Sequence, residues 1–227
     1  MRAIWFLLSG LCHQMPEHSL IFGGHALPLC ARCTGLFTGA VLTALTLWAM
    51  GQGRRAGFPT RRLSALMGAL ALGWLVDSAN SFLSYWRGQP FLYMPSNALR
   101  LATGLGMGFG VGILLYSITH QVLGEGGDAR PPLMERGSAL IPLAANAAWA
   151  AMLLGWRKAP YGLLFWAVAL AAYGTLAWVN ALLWGVLLVN GEHCARHQRL
   201  LWPLALGALS ALAEMALLAG LRRILGT

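Results

Sequence analysis

Charge is scarce in this chain. Only 10% of its 227 residues are charged, and just seven are acidic, against 16 Lys and Arg. A soluble domain carries about 25% charged residues. The shortage excludes a disordered polyelectrolyte and most soluble enzymes. Cysteine is sparse as well. Four residues, three of them within the first 33, do not make the disulfide framework of a secreted miniprotein. A phosphate-binding Gly-Lys loop, a dinucleotide fingerprint and a Ser nucleophile elbow are all missing, so nothing points to nucleotide chemistry. Alternating barrel strands are missing too. No signal peptide is expected, because Met1-Arg2 is followed by only a short apolar stretch, Ala3 to Leu8. Lipidation at Cys12 is not expected either, since Leu11 stands where a cleavage site needs a small residue.

What the chain has is apolar length. Hydrophobic residues make up 58% of it. A membrane span needs about 20 mostly apolar residues. Runs of that kind cover 31–51, 63–84, 97–121, 138–156, 161–189 and 200–221, after a short apolar segment at 3–12. Unpaired backbone amides are too costly in lipid for open strands. The expected fold is therefore all-α: a polytopic transmembrane helical bundle of about six spans. Its expected parts are residues 1–123, a Gly- and Pro-rich linker at 124–137, and a three-span half at 138–227. The net charge of +9 comes from fifteen Arg and one Lys, mostly in the connections. Topology and anionic headgroups account for it better than nucleic acid does. Arg54, Arg55, Arg61 and Arg62 place the 52–62 loop in the cytoplasm. Alternation then puts 12–33 and 85–96 outside. The full basic count divides eight and eight, so orientation rests on the first spans alone.

Polar residues inside the apolar runs are few and stand out. Gly104, Gly108 and Gly112 share one face of the third run, a spacing that lets helix backbones approach closely or leaves a groove for a lipid tail or quinone. Asn146 and Asn180 are expected to hydrogen-bond between helices, and Glu214 to pair with a polar neighbour or stay protonated. Trp5, Trp86, Trp156 and Trp202 lie near run ends, as interfacial anchors do.

Chemistry concentrates near the N-terminus. Cys12, Cys30 and Cys33 accompany His13, His18 and His25 within 22 residues. Thiolate and imidazole are the preferred ligands of zinc, which takes four in a closed site. Cys30-Ala31-Arg32-Cys33 can supply two sulfurs and Cys12 a third. The fourth ligand is His13, His18, His25 or Asp77. The same C-x-x-C spacing serves thiol redox chemistry, with Arg32 lowering a thiol pKa. Small buried cysteines with interfacial histidines remain the plain alternative. Asp77 lies late in the second run, and Asn97, Arg100 and Thr103 share one face at the start of the third. By alternation all of them sit at the depth of the cysteines. Asp77 is expected to approach Arg100 or to face the cysteines. A second cluster, Glu192-His193-Cys194-Ala195-Arg196-His197, offers two His at i and i+4 but lacks a following Glu. An ordinary polar loop at the opposite membrane face is the better reading there.

Cys12-His-x-x-Pro-x-x-Ser, then Leu-Pro-Leu-Cys-Ala-Arg-Cys-Thr-Gly, resembles the prokaryotic membrane proteins grouped as domain-of-unknown-function family 2085. Asp77 and Asn97-x-x-Arg100-x-x-Thr103-Gly104 fit the same pattern, over roughly residues 10–115. His18 stands where the pattern has Arg. The resemblance implies where the site is, in a prokaryotic cytoplasmic membrane, and assigns it no activity.

Three functions follow as expectations. The first is a zinc–thiolate site at the membrane surface. In its enzymatic form it acts on a lipid or lipid phosphate, with Asp77 as base and Arg100 as anion clamp. Asp77→Asn then keeps the metal and abolishes turnover. The second is a thiol–disulfide oxidoreductase pairing Cys30 and Cys33 with a quinone. The third is a metal-stapled lipid-binding module without chemistry.

Overall fold

The computed structural model describes residues 1–52, 57–122, 133, 138–156, 158–188 and 196–226, with backbone only for 196–200. Arg54, Arg55, most of the 124–137 linker and Glu192-His193-Cys194 lie outside the described residues, as do the side chains of Arg196 and His197.

Among the described residues seven α-helices form: α1 (Arg2–Ser9), α2 (Ala31–Ala49), α3 (Arg61–Arg87), α4 (Asn97–Val122), α5 (Leu140–Gly155), α6 (Tyr161–Leu188) and α7 (Arg196–Leu225). The segments Arg61–Arg87, Asn97–Val122, Tyr161–Leu188 and Leu201–Leu225 are long and apolar enough to cross a membrane. The protein is an all-α membrane bundle. Its α2 has 19 residues and its α5 has 16. Trp86 and Trp156, at the ends of α3 and α5, are exposed. That placement suits an interface.

The centre of the bundle is the parallel pair α2–α4. Without a hydrophobic drive between helices in lipid, close backbone packing holds such a pair. Glycine makes it possible. A Cβ on Gly104 would lie 2.2 Å from the Arg32 carbonyl oxygen, on Gly108 2.4 Å from that of Leu36, and on Gly112 2.6 Å from that of Ala40. Each contact steps one helical turn along both helices. Gly35 of α2 returns the contact, 2.5 Å from the Leu101 carbonyl. The open groove considered along this face is therefore absent, because α2 fills it. Gly106 and Gly110 face α3 instead, near Leu70 and Met67.

Polar pairs tie the outer helices in. Asn146 of α5 donates to Thr43 Oγ1 of α2 at 3.0 Å, and Trp149 donates to Thr38 at 3.0 Å. Asn180 of α6 donates to Glu214 of α7 at 3.0 Å. The interhelical roles expected of Asn146, Asn180 and Glu214 are met. From α2 to α7 each helix runs against its predecessor. One end of the bundle gathers the start of α2, the end of α3, the start of α4 and the end of α7.

That end carries the only β-strands among the described residues. Ser19–Phe22 (β1) and His25–Cys30 (β2) pair as an antiparallel hairpin, with Ile21 opposite Ala26 and Phe22 opposite His25. Gly23 and Gly24 turn the chain at φ +56° and +81°. Two successive positive φ values suit a tight hairpin turn. The purely helical expectation missed it. Phe22, Leu27 and Leu29 are fully buried, packed with Leu8, Leu101 and Leu164. The hairpin thus caps the bundle rather than crossing it.

Candidate thiolate centre

The hairpin delivers Cys30 to the start of α2. Ser19 pairs with Cys30 across the ladder, and Cys30 is the N-cap residue of α2. Cys33 follows one turn later. Cys12 comes from the short loop after α1. The three sulfur atoms lie within 4.8 Å of one another, and all three thiols are free. The Cys30 backbone N–H donates to the Cys12 sulfur at 3.3 Å. Hydrogen bonds from the Cys30 and Cys33 side chains hold the Cys12 thiol far below its usual range. Its contact with Cys12 pushes the Cys30 thiol up. The Cys12 sulfur thus sits among donors from both other cysteines, and three clustered thiols can shed their protons to water as a thiophilic metal binds.

His13 and His18 do not join the sulfur group; they line the cavity of about 490 Å³ that adjoins it. His13 is exposed, while His18 is half-buried. Burial, followed by the charge of Arg100, keeps the His18 imidazole neutral to lower pH than usual. His25 lies away, its ring 5.2 Å from that of Tyr161.

Asp77 stands beside this cavity at 1% exposure. The expected Asp77–Arg100 approach does not form an ion pair. Asp77 pairs with Arg32, the residue between the two cysteines of the C-x-x-C. Arg32 Nε donates to Asp77 Oδ2 at 3.1 Å, and Nη2 donates to that same oxygen. Arg32 Nη2 also reaches the Asp77 carbonyl at 3.1 Å and Ser81 Oγ at 2.9 Å. Tyr93 donates to Asp77 Oδ1 at 3.0 Å, and Thr103 to Oδ2 at 3.3 Å. Burial, then Asp77, raises the Tyr93 phenol above its ordinary pKa. Asp77 is thus joined to the C-x-x-C segment through the Arg32 side chain.

Arg100 is 6% exposed and donates to Asn97 Oδ1 at 2.9 Å, one turn back on its own helix. It lines a second cavity, of about 380 Å³, that shares His18, Ser81 and Tyr85 with the first. Asn97 Nδ2 binds the Glu17 and Ser19 carbonyls at 3.1 and 3.2 Å, docking the hairpin on α4. Asn97→Ala should let this strand open. Amide hydrogen exchange across Leu20–Phe22 should speed up about tenfold, for two lost side-chain bonds. An unchanged rate would show that packing alone holds the hairpin.

Sequence reasoning missed three contributors. Asn80 is fully buried and orders the α3–α4 loop, accepting from Leu92 N at 2.8 Å and donating to the Tyr93 carbonyl at 3.0 Å. That loop is what delivers Tyr93 to Asp77. Arg222 reaches the Cys12 loop from the far end of the chain. A buried Asn three residues after Asp77 was a readable signal for the first two, whereas nothing local marks Arg222.

A helical membrane protein with a three-thiol cluster beside an Arg–Asp pair is the class these features define. The family model described as "Predicted membrane protein (DUF2085)" matches residues 12–114, which hold that cluster and its support. The chain belongs to this family. An uncharacterized protein of Methanothermobacter thermautotrophicus is 30% identical over 113 residues, 50% of this chain and 91% of that one. An uncharacterized protein of Methanocaldococcus jannaschii is 41% identical over 39 residues, 17% of this chain and 25% of its own length. No solved structure matches the chain.

Proposed function

We propose that the protein holds one zinc ion on Cys12, Cys30 and Cys33 at the extracytoplasmic membrane surface and works there on an anionic lipid headgroup. The observation that carries this reading is the approach of three sulfurs to within 4.8 Å beside an open cavity. Three protein ligands and a free fourth position are the pattern of catalytic zinc, whereas a fourth protein ligand closes a structural site. His13 and His18 line the cavity and are the residues available to close it. When bound, zinc would supply a Lewis acid and an activated water.

The surrounding residues have separable tasks. Arg32 and Tyr93 orient the Asp77 carboxylate, which serves as the base. Arg100 forms no ion pair among the described residues and faces the second cavity, where it serves as the clamp for a lipid phosphate. In this reading α2 and α5 complete six spans. The alternating direction of the helices and the rule that basic loops near the first spans stay inside support that count and orientation.

The experiment is metal content by mass spectrometry on detergent-purified protein, with free thiols counted in parallel. About one zinc per chain is expected in the wild type and almost none in Cys30→Ser. Zinc retained in Cys30→Ser would overturn the ligand set. The sulfur proximity also favours a second reading: two thiols lose two electrons and two protons, forming a disulfide and reducing a quinone to its quinol. An absent metal, with two thiols missing until reductant is added, would establish that reading instead. A protein with zinc bound but no turnover on phospholipids, and misfolding in Cys33→Ser, would be a metal-stapled module.

A further inference from the structure

Cys12 sits on the least anchored part of the centre. Cys30 and Cys33 ride on α2, which is locked to α4 by glycine contacts. Cys12 follows α1, a helix of eight residues. A helix that short has little stability of its own, and its last carbonyls have no partner within the helix. Of these, the Ser9 carbonyl is met by Arg222, in the last turn of α7, which also takes the carbonyls of Cys12 and His13 in the loop that follows. Arg222 Nη1 donates to the Ser9 carbonyl at 3.0 Å and the Cys12 carbonyl at 2.6 Å, and Nη2 donates to the His13 carbonyl at 2.9 Å. A planar guanidinium holds several converging acceptors in one fixed fork, whereas an ammonium is a compact point charge on a flexible stem. A second contact acts independently. A Cβ on Gly10 would lie 2.7 Å from the Met215 carbonyl and 3.0 Å from Ala219 N, so α1 rests directly on the backbone of α7.

We infer that Arg222 is a positioning residue of the thiolate centre: it fixes the Cys12 backbone and thereby brings the third sulfur to the other two. The family match ends at residue 114. The C-terminal helix of this chain therefore completes a site whose sulfurs all lie in its first 33 residues. The role in metal binding rests on the zinc reading; the role in placing Cys12 does not.

Two measurements separate these. The first is alkylation of the metal-free protein with a maleimide, mapped cysteine by cysteine. Arg222→Gln should speed the reaction at Cys12 about tenfold while Cys30 and Cys33 keep their rates. Arg222→Lys, which keeps the charge without the fork, should fall between. Arg223→Gln, at an exposed neighbour, should match the wild type. The second is the thiolate-to-metal charge-transfer band of the cobalt(II)-loaded protein, whose intensity follows the number of bound thiolates. In Arg222→Gln it should drop by about a third, from three thiolates to two. Unchanged Cys12 labelling in Arg222→Gln would overturn the inference. So would an equal acceleration at all three cysteines, which marks general loosening. Should Arg222→Gln not fold, Arg222→Lys decides by the same criteria. If the wild type binds no cobalt, the zinc reading fails, while the labelling still decides the role of Arg222.

Discussion

Asp77→Asn should destabilise the folded protein by about 3–5 kcal/mol, the usual cost of leaving one member of a buried ion pair without its partner. Asp77 is 1% exposed and Arg32 17%, so water offers the abandoned guanidinium little compensation. An Asn amide also presents N–H groups where the native carboxylate only accepts. Only one amide oxygen would remain, so the donors now shared between Oδ1 and Oδ2, from Tyr93, Thr103 and Arg32, would compete for it or, for a hydroxyl, have to turn and accept instead. The measurement is thermal unfolding in detergent across a double-mutant cycle with Arg32→Gln. The double variant should lose less than the sum of the two single losses, because removing both charges removes the uncompensated one. Strict additivity would show that the pair contributes no coupling. If the proposed zinc is bound, it should survive in Asp77→Asn, since Asp77 is not one of the three clustered ligands.

The second large effect is steric. Gly104→Ala and Gly108→Ala place a methyl group 2.2 and 2.4 Å from carbonyl oxygens of α2. Backbone atoms on a packed helix cannot swing away as a side chain does. Overpacking of this kind costs about 1–3 kcal/mol where neighbours can yield, and more where they cannot. Either substitution should therefore shift the protein from a monodisperse peak to aggregate in size-exclusion chromatography. Gly110→Ala supplies the contrast. Its added methyl would meet Met67 side-chain atoms at 3.7–3.8 Å, ordinary contact distances, and the variant should elute as the wild type. Equal behaviour of Gly108→Ala and Gly110→Ala would mean that α2 and α4 are not in backbone contact.

Much of this site can be read along the chain because membrane residence makes polarity expensive. An Asp in an apolar run has to face protein, so Asp77 identified itself. The 104/108/112 spacing announced a helix face that another backbone can approach. The hairpin was harder. Its strands are four and six residues long, and Gly23-Gly24 between two apolar stretches was its only local mark. Beside the stronger signal of the helical runs, that dipeptide reads as a loop.

Composition and apolar periodicity, from the sequence alone, determined that this is a helical membrane protein, and residue chemistry located the thiols, Asp77 and Arg100 at one depth. Which charge meets which was decided only in three dimensions. Arg32 and Arg100 stand at similar depth, and either has the reach for Asp77. The choice depends on the close α2–α4 packing, which sets the Arg32 backbone against Gly104, and on Asn97, which takes up Arg100 one turn back. Arg222 lies beyond any sequence signal for the same reason. Its partners are backbone carbonyls 209 to 213 residues away. A carbonyl carries no residue identity, so only the packing of α1 on α7 can bring it to that guanidinium.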